Sequence, residues 1–489
     1  MYYIGIDLGT TNLKAAAYDS QFRCIGAETE PVTYEKEGDR VEFDAEEYFV
    51  SLTRVISRLL SSGKFSAEEI RSIGLTGQAE TLVVLDGMGR PLMNAISWMD
   101  ERSREECGKI AECFSPEEIE AVTGQMAVLP TWPATKILWL KNNQRDIFEN
   151  AATYMLLKDY ITFRLTGRML ADCSIATFSF YFDIYNRCYW QKMLDVIGIS
   201  AAQLPPLAEP CSQAGSLTPE AALLCGLRES VAVNVGTLDH FAGMIGTGNI
   251  QEGSVSLSTG TVMALAALAK RPENGNYGIA MHYGFRPGTY VMLPVAESGG
   301  VCLEWFRSVC MPGISYGEMN EVLESRKLPG PVLFLPYLVG TNAPEFDEKA
   351  CGLFYGLRGG CDIFDMAGAV MEGVAFLLRK NCESIVKAGM GLTGIIATGG
   401  GAKSPVWCQM QADITGLPVM VPRETEATCL GAAIAGAAGV GDFGSVEEAC
   451  RLANGIEKRY EPHPDPLYER KYRQFCFLYQ AMTEAARME

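Results

Sequence analysis

The sequence lacks long apolar runs, is poor in histidine, and carries fewer basic than acidic residues. Its most apolar stretch, CLGAAIAGAAGVG at 429–441, is too short to cross a bilayer and rich in glycine and alanine. That stretch predicts a closely packed helix and argues against a membrane protein. Only three histidines occur (His240, His282, His463), widely spaced, which disfavours a zinc centre. The formal charge of −18 disfavours nucleic acid or an anionic membrane as partner.

Two further absences concern the compartment in which the protein works. The 16 cysteines include no CxxC pair, and no basic leader precedes the first apolar segment. We therefore expect a cytoplasmic protein whose cysteines are free thiols in a reducing environment.

The 489 residues, 48% of them hydrophobic and 20% charged, are too many for a single core, so two or more domains are expected. Apolar residues spaced by three and four predict an amphipathic helix over 44–62. The segments 70–77 and 81–86 are typical of strands. Strands that alternate with helices along the chain predict an α/β architecture.

Two hairpins of the same design lie about half the chain apart. In YYIGIDLGTTNLKAAAYD (2–19) and SVSLSTGTVMALAAL (254–268), a turn with Gly-Thr joins two strand-like segments. This echo predicts two halves built on one plan. The segment 241–253, with four glycines, is the predicted boundary and hinge, which divides the chain into domains 1–247 and 248–489.

The second half contains two further elements that the sequence delimits. Residues 361–388 predict a long core helix with Asp362 as N-cap and Asp365 in the position of a capping-box acid. Residues 394–416 predict a strand, a glycine loop and a helix that Ser404 caps.

The two Gly-Thr turns are candidate phosphate sites. Small residues let backbone N–H groups and threonine hydroxyls approach phosphate oxygens, and Lys14 adds a positive charge next to the first turn. Asp7 lies inside a strand, where burial of a carboxylate is costly unless it is paired or helps to hold a magnesium ion through water. Ordinary turns and a structural salt bridge remain the alternatives.

Other polar residues are candidates for the acceptor site. Asp239 follows an apolar strand, as a general base at a cleft would. His240 would point the opposite way on an extended chain and is expected to pack or to form a hydrogen bond. Two loops, 76–81 and 96–103, offer groups that suit a polyhydroxylated ligand, namely Gln78, Glu80, Trp98, Asp100 and Arg102. Glu80 and Arg102 could equally be ordinary surface charges.

Several motifs together resemble the FGGY family of carbohydrate kinases, within the actin-like ATPase group. The most specific match is GLFYGLRGGCDIFDMAGAVME at 352–372. The segments 156–167 and 335–344 and the residues Asp172, Ser174 and Ala176 also resemble family landmarks. Chaperone ATPases share the opening GIDLGTTN, but they carry a β-rich peptide-binding domain for which the remaining chain leaves no room. The resemblance, from Ile4 to about Val440, therefore favours a kinase.

The resemblance implies two ribonuclease-H-like domains with an interdomain cleft, ATP and Mg²⁺ as ligands, and transfer of the γ-phosphoryl group of ATP to a hydroxyl of a ketose or polyol. It implies Asp239 as the catalytic base that accepts the hydroxyl proton. The other site residues that it implies are Thr10, Thr11, Asn12 and Lys14 in the first phosphate loop, Gly260 and Thr261 in the second, Gly400, Gly401 and Ala402 around adenosine, Gln78, Glu80, Trp98 and Asp239 at the sugar, and Asp7 and Asp239 near magnesium.

The identity of the acceptor stays open. Xylulose kinases typically have Met-His where this chain has Ala79-Glu80, glycerol kinases have Arg-Glu, and both groups generally lack a histidine at the position of His240. Two other functions are weighed: an actin-like ATPase without a sugar acceptor, and a sugar-sensing protein without phosphoryl transfer. The expected partners are a small sugar or polyol and ATP, with neither nucleic acid nor membrane, and the resemblance allows a homodimer.

Overall fold

The chain folds into two compact units that are not continuous in sequence. The computed structural model describes residues 1–62, 64–271, 278–424 and 426–486. The first unit contains Met1–Ile250, Met281–Val291 and Glu426–Asn454; the second is formed by the described residues among 251–280, 292–425 and 455–489. All predicted site residues fall within the described ranges. The division into domains 1–247 and 248–489 stays a prediction.

The strands of the described residues are, in chain order, β1 Tyr2–Leu8, β2 Asn12–Asp19, β3 Cys24–Pro31, β4 Glu35–Glu37, β5 Arg40–Phe43, β6 Ile70–Gly77, β7 Leu82–Leu85, β8 Ala95–Ile96, β9 Thr153–Leu156, β10 Ala171–Asp172, β11 Phe182–Asp183, β12 Cys188–Tyr189, β13 Leu207–Ala208, β14 Gln213–Ser216, β15 Ala232–Asn234, β16 Thr237–Leu238, β17 Ser254–Thr259, β18 Met263–Ala269, β19 Met281–Tyr283, β20 Tyr290–Met292, β21 Val295–Ala296, β22 Leu333–Pro336, β23 Gly352–Tyr355, β24 Gly394–Gly399, β25 Val419–Pro422 and β26 Ile456–Tyr460.

The helices of the described residues are, in chain order, α1 Ala45–Ser61, α2 Arg104–Ala111, α3 Pro116–Thr123, α4 Pro133–Asn143, α5 Arg145–Asn150, α6 Leu157–Thr166, α7 Cys173–Ala176, α8 Gln191–Ile197, α9 Pro219–Cys225, α10 Asp239–Thr247, α11 Gly300–Cys310, α12 Tyr316–Glu324, α13 Ile363–Lys387, α14 Pro405–Thr415, α15 Ala427–Gly439, α16 Val446–Ala453 and α17 Pro466–Ala486, with short 3₁₀ turns at Ala67–Glu69, Ala201–Gln203 and Gly401–Lys403.

The main sheet of the first unit has the strand order β14-β15-β6-β1-β2-β3, and β16 also pairs with β6. Strands β1 and β2 form the predicted opening hairpin around the turn 9–11. Both β1 and β16 run parallel to β6, with Leu8 and Leu238 each in register with Gly77. The carboxyl ends of these three strands therefore share one edge of the sheet, where ligands bind in open α/β sheets.

The predicted amphipathic helix is α1. The Asp44 side chain caps its N-terminus by accepting hydrogen bonds from the N–H groups of Glu46 and Glu47. The predicted apolar face is buried in the core that α1 shares with the sheet of the first unit. Burial of each large apolar side chain contributes about 1.5–3 kcal/mol, so packing rather than helix propensity holds α1 in place.

Helix α15, which contains most of the segment 429–441, packs unusually close to the sheet. A Cβ atom built on Gly5 of β1 would lie 1.8 Å from the Cys429 carbonyl oxygen, and one on Gly74 of β6 would lie 1.7 Å from that of Ala432. Only glycine permits this approach of helix to strands. The close packing predicted from the sequence is confirmed.

The first part of the segment 241–253 is helical, and the role of this segment as boundary and hinge stays a prediction. Helix α10 spans that part and ends at Gly248, which has the left-handed φ of 81° typical of a helix C-cap. Gly246 lies inside the helix, where a Cβ atom would be 1.8 Å from the Ala427 carbonyl oxygen. This glycine therefore serves close packing of α10 on α15 rather than flexibility.

The second unit repeats the core arrangement of the first. Its sheet contains the consecutive strands β18-β17-β24-β25-β26, with β21 beside β18. Strands β17 and β18 form the predicted second hairpin, and β24 runs parallel to β17 with Gly399 opposite Thr259. A hairpin whose first strand pairs with a parallel strand thus occurs in both units, which confirms the predicted echo.

Only the last part of the segment 352–372, from Ala367 to Glu372, is buried in the core of the second unit. Asp362 and Asp365 form the predicted capping box at the start of α13. The buried Glu372 carboxylate pairs with Lys471 of α17 and accepts the Gly330 N–H at 3.0 Å. The Lys471 ammonium also donates to the Gly330 and Val332 carbonyls at 3.0 and 2.7 Å. These residues therefore stabilise the fold.

All 16 cysteines lie within the described residues and are free thiols, as predicted. Within the same residues, every helix is too short or too polar to cross a membrane.

Candidate active site

The carboxyl edge of β1, β6 and β16 gathers the candidate residues of the first unit. Asp7 is the last but one residue of β1, Gln78 directly follows β6, and Asp239 directly follows β16. The turn 9–11 leaves β1 at the same edge. Residues that are up to 232 positions apart in the chain thus converge because their strands are neighbours in register.

Side chains from three other segments hold the first turn in place. The Tyr34 hydroxyl donates to the Thr10 carbonyl at 2.8 Å, and the Tyr48 hydroxyl donates to the Gly9 carbonyl at 3.2 Å. The Gln78 amide nitrogen also donates to the Gly9 carbonyl, at 3.3 Å. Because its carbonyls are occupied, the turn is a rigid frame for its N–H groups. The sequence offered no pattern from which the two tyrosines could be found.

Trp98 touches the same turn. Its indole N–H donates to the Thr10 hydroxyl at 2.8 Å, while the ring is 38% exposed. The buried Thr81 hydroxyl accepts the Trp98 backbone N–H at 3.1 Å and donates to the Gln78 side-chain carbonyl at 2.8 Å. The two loops predicted to face the acceptor are therefore joined to each other and to the first Gly-Thr turn.

Charges of both signs surround Asp7. Burial of its carboxyl group, together with the nearby Asp239 carboxylate, raises the pKa of Asp7 to about 7, although Lys14 opposes the rise. Lys14 is the register partner of Asp7 on β2 and forms a 2.9 Å ion pair with Glu426. Two carboxylates that repel each other at a sheet edge are a donor set that suits a hard divalent cation. Glu426 was missed because it lies more than 400 residues away in sequence.

Asp239 and His240 are the first two residues of α10, not part of an extended chain. The prediction that they point opposite ways is therefore wrong, because successive residues of a helix diverge by about 100°. The Asp239 carboxylate accepts the His240 backbone N–H at 2.6 Å, and both side chains are partly exposed. A carboxylate at a helix N-terminus is favourably placed in the field of the helix dipole.

A second histidine, His282, lies near His240. Burial, with a contribution from His240, lowers the pKa of His282 to about 3, so its ring is neutral. The ring stacks on Phe178 with centroids 4.4 Å apart, and its Nδ1 lies 3.2 Å from the Gln125 amide nitrogen. The sequence reasoning missed Gln125 and Phe178, since their segments show no polar pattern.

Glu80 is not an ordinary surface charge. Its backbone has a left-handed φ of 64°, which is uncommon and costly for a residue with a side chain. The ammonium of Lys136, a residue fully buried in α4, donates to the carbonyls of Glu80 and Ser97 at 3.2 and 2.8 Å. Desolvation raises the pKa of the Glu80 carboxyl and lowers that of Lys136. A lysine inside the apolar run ATKILWL was the sequence feature that could have revealed it.

Asp100 and Arg102 form a structural ion pair rather than a ligand site. Both Asp100 oxygens accept hydrogen bonds from the Arg102 guanidinium, at 2.8 and 2.6 Å, and one also accepts the Val41 N–H at 2.6 Å. Arg102 pairs with Glu42 as well, and its side chain is only 4% exposed. The interpretation of Arg102 as a surface charge is therefore wrong.

In the second unit, the second Gly-Thr turn and the glycine loop lie side by side. Strands β17 and β24 end together, and a Cβ atom on Gly401 would lie 2.8 Å from the Thr259 Cβ. The first N–H groups of α11 donate to the turn, from Gly300 to the Gly260 carbonyl at 2.7 Å and from Val301 to the Thr261 carbonyl at 3.1 Å. The run SGG at 298–300 is the sequence feature that could have indicated this contact between α11 and the turn.

The predicted site residues therefore form two clusters, each described within its own unit. The first unit holds Asp7, Thr10, Thr11, Asn12, Lys14, Gln78, Glu80, Trp98 and Asp239, and the second holds Gly260, Thr261, Gly400, Gly401 and Ala402. Their roles in binding and catalysis stay predictions.

Comparison with known families accounts for most of the chain. Residues 2–246 match the model of the N-terminal domain of the FGGY family of carbohydrate kinases, and residues 255–440 match that of its C-terminal domain. The xylulose kinase of Bacillus subtilis (strain 168) is 31% identical over 484 residues, which cover 98% of this chain and 96% of the relative.

Solved structures with the same fold include kinases of different sugars. The xyloylose kinase of Brucella ovis superimposes with a TM-score of 0.93 at 29% identity, covering 99% of this chain and 100% of the other. The gluconate kinase of Lactobacillus acidophilus has a TM-score of 0.91 at 25% identity and covers 98% of both chains. The predicted α/β fold of two actin-like ATPase domains is confirmed. These matches do not favour a function without sugar phosphorylation.

Proposed function

The chain belongs to the FGGY family of carbohydrate kinases and is an ATP-dependent sugar kinase, and on this premise we propose that Asp239 is the general base that activates the acceptor hydroxyl. The observation that carries this proposal is the position of Asp239, at the N-terminus of α10 and on the sheet edge that also carries the first phosphate turn. A base must lie where the acceptor hydroxyl and the transferred phosphoryl group can meet.

The two Gly-Thr turns and the glycine loop are proposed to hold ATP. The first turn presents its N–H groups and hydroxyls on a frame that Tyr34, Tyr48 and Gln78 hold rigid. Rigid donors stabilise phosphoryl oxygens without reorganisation during the reaction. In this proposal Thr10, Thr11, Asn12 and Lys14 bind phosphate in the first unit, Gly260 and Thr261 bind phosphate in the second, and Gly400, Gly401 and Ala402 adjoin the adenosine.

Mg²⁺ fits the carboxylates at the edge of the first unit. Asp7 and Asp239 are close enough for one carboxylate to raise the pKa of the other, and a divalent cation would relieve that repulsion. We assign its binding to these two residues, through water or directly. When bound, Mg²⁺ supplies positive charge that neutralises phosphate oxygens.

The acceptor site is proposed to include Glu80 and Trp98. The Glu80 carboxyl group accepts a hydrogen bond from Thr131 and can also bind acceptor hydroxyls, while the exposed indole of Trp98 can cover a C–H face. Gln78, also proposed for this site, has its amide engaged by Gly9 and Thr81, so it contributes by holding the turn that lies beside the acceptor.

In the proposed reaction the Asp239 carboxylate accepts the proton of the acceptor hydroxyl as the new O–P bond forms. The bond between the γ-phosphorus and the β–γ bridging oxygen breaks, and ADP leaves. Lys14 neutralises phosphoryl charge. To do so, its ammonium leaves the Glu426 carboxylate and pairs with the phosphate instead. Asp239 contributes by accepting this proton and by orienting the hydroxyl towards the γ-phosphorus.

We propose a ketose or a polyol as the acceptor. Named relatives act on xylulose, whereas one structural neighbour is a gluconate kinase, so the family likeness spans several substrates. A cytoplasmic location and assembly as a homodimer belong to the same proposal.

Replacement of the base tests the proposal. Asp239→Asn keeps the size of the side chain but cannot accept the proton, so turnover is expected to fall by about 10²–10⁴-fold with the fold intact. The measurement is ADP release over a panel of ketoses, aldoses, polyols and sugar acids, with product mass confirming phosphorylation. Asp195→Asn, an exposed aspartate of α8, is the matched control and should retain wild-type turnover. Sugar phosphorylation by Asp239→Asn at the wild-type rate would overturn the assignment.

A further inference from the structure

The strand β16, which directly precedes Asp239, is only two residues long and is held from both sides. On one side β6 pairs with it, and the Thr76 hydroxyl donates to the Thr237 carbonyl at 2.8 Å. On the other side lies Ser174 of α7, whose Oγ accepts the Leu238 backbone N–H at 3.2 Å and lies 2.9 Å from the Thr237 hydroxyl. Leu238 is the residue directly before Asp239 and its N-cap, so Ser174 contacts the backbone at the base of the catalytic side chain.

The Ser174 hydroxyl is oriented by a buried carboxylate. Its Oγ lies 2.9 and 3.0 Å from Oδ1 and Oδ2 of Asp172, and Oδ1 also accepts the Ser174 backbone N–H at 2.8 Å. An ionised carboxylate can only accept, so the Ser174 proton points to Asp172. Both lone pairs of Ser174 Oγ are then available for the Leu238 N–H and for the Thr237 hydroxyl, which must be the donor in its pair.

Lys158 balances the charge of Asp172 and contacts the same chain segment a second time. Its ammonium lies 3.2 Å from Asp172, 3.3 Å from Asp159, and donates to the Val235 carbonyl at 2.5 Å. Burial acts to lower the pKa of Lys158, but the two carboxylates raise it above its ordinary value, so the lysine is charged. The segment that leads to Asp239 is therefore held by two hydrogen bonds, one at the Val235 carbonyl and one at the Leu238 N–H.

The group is closed to ligands. Lys158, Asp172, Ser174 and Thr237 are all fully buried, with no measurable exposed area. Burial of paired charges has a desolvation penalty that their mutual attraction need not offset, so stability alone does not account for this group. None of these side chains can reach an acceptor or ATP, and their hydrogen bonds lead instead to the backbone that presents Asp239.

We infer that Lys158, Asp172 and Ser174 form a positioning relay that sets the direction of the Asp239 carboxylate. The inference rests on the proposed role of Asp239 as the base. Ser174 is the link that transmits the constraint, because its hydroxyl contacts both the Asp172 carboxylate and the Leu238 N–H. Loss of its hydroxyl leaves the Leu238 N–H and one Asp172 oxygen without these partners and loosens the start of α10.

The test is a double-mutant cycle between Ser174 and Asp239. Ser174→Ala is expected to lower kcat by about 10–100-fold with the KM for ATP little changed, since small displacements of a reacting group have costs of this size. In an Asp239→Asn background, where no base remains to be positioned, the same change should have almost no further effect on kcat. Ser174→Thr keeps the hydroxyl and should retain most of the activity. Thr237→Val, which removes the other hydroxyl without changing shape, should lower kcat in the same direction.

Ser179→Ala is the matched control. Ser179 is equally buried in the same unit, and its hydroxyl likewise accepts a backbone N–H, that of Tyr181 at 3.3 Å, but it has no link to β16. This variant should keep wild-type kcat.

The two ideas fail in different ways. A Ser174→Ala enzyme with wild-type kcat, or one in which the loss multiplies with that of Asp239→Asn, would overturn the relay while the base assignment stands. Wild-type turnover by Asp239→Asn would overturn the base assignment, and with it the relay.

Discussion

Asp7 shows how much a single residue depends on partners that are distant in sequence. It is an aspartate inside an apolar strand, in register with Lys14 and close to the Asp239 carboxylate. Its raised pKa reflects desolvation and like-charge repulsion, which are the conditions that a bound divalent cation would relieve. Lys14, meanwhile, is held by Glu426. This arrangement of charges supports the proposal that phosphate and Mg²⁺ bind here.

At this scale we predict that Asp7→Asn weakens the response of the enzyme to Mg²⁺. Because one of two carboxylates is lost, the Mg²⁺ concentration for half-maximal rate should rise by about 10–100-fold. The ligand-free variant should unfold at the same or a higher urea concentration than the wild type, since a like charge has been removed. The measurement is ADP release in a Mg²⁺ titration.

Asp19→Asn serves as the control for that titration. Asp19 lies at the opposite end of the same hairpin and pairs with Arg23. A Mg²⁺ dependence of Asp7→Asn equal to that of Asp19→Asn would contradict the assignment of the metal to Asp7.

Among the elements, α10 both presents Asp239 and packs closely against α15. It begins with Asp239, and it packs against α15 so closely that Gly246 and Gly431 each face a carbonyl oxygen 1.8 Å from where a Cβ atom would lie. The body of α10 is therefore fixed on α15 by backbone contact, while the Ser174 hydroxyl holds the residue before its start. Close helix packing of this kind transmits a shift of α15 to α10, whose first residue is Asp239.

For this element, two alanine substitutions in the same helix should have opposite effects. Gly246→Ala forces α10 and α15 apart and should lower the free energy of unfolding by about 1–3 kcal/mol or more. A Cβ atom on Gly243 has no neighbour within 4 Å, so Gly243→Ala should raise it by up to about 1 kcal/mol through helix propensity. Urea unfolding followed by circular dichroism measures both. Equal stability of the two variants would show that the close contact has no energetic weight.

For the molecule as a whole, each of the two units is built from segments that are not consecutive in the chain. After building most of the second unit, the chain returns to the first unit through α15 and α16, and α15 covers the face of β1 and β6 that carries Gly5 and Gly74. Helix α1 belongs to a core that includes the same strands. Without α15, one face of the first unit's sheet would be uncovered.

We therefore predict that a fragment of residues 1–250 does not fold cooperatively and binds a hydrophobic dye. Joining residues 426–454 to it through a flexible Gly-Ser linker should restore a cooperative urea transition, because the apolar face is covered again. The comparison also tests the predicted domain boundary after residue 247. A cooperative transition of the shorter fragment at the same urea concentration would show that α15 is dispensable.

Local features of the fold could be predicted from the sequence because their causes are local. The hairpins, the helix α1 with its Asp44 cap and the capping box of Asp362 and Asp365 follow from apolar periodicity and cap chemistry. The candidate site was accessible in part, since Asp7, Lys14 and Asp239 lie in recognisable turns or strand ends. Lys136, Tyr34 and Glu426 were not, because their importance arises only from contact with segments far along the chain.

The sequence by itself determined that this protein is a sugar kinase of the FGGY family, because the motif at 352–372 is specific enough to separate it from the chaperone ATPases that share GIDLGTTN. The tertiary structure alone decided that Asp239–Thr247 form a helix, that Glu80 adopts a left-handed backbone over a buried Lys136, and that the Ser174 hydroxyl accepts the N–H of Leu238, the residue before Asp239. The physical reason is the same in each case. Burial and hydrogen bonding depend on which segments meet in space, and parallel strand pairing brings together segments whose separation in sequence hides the encounter.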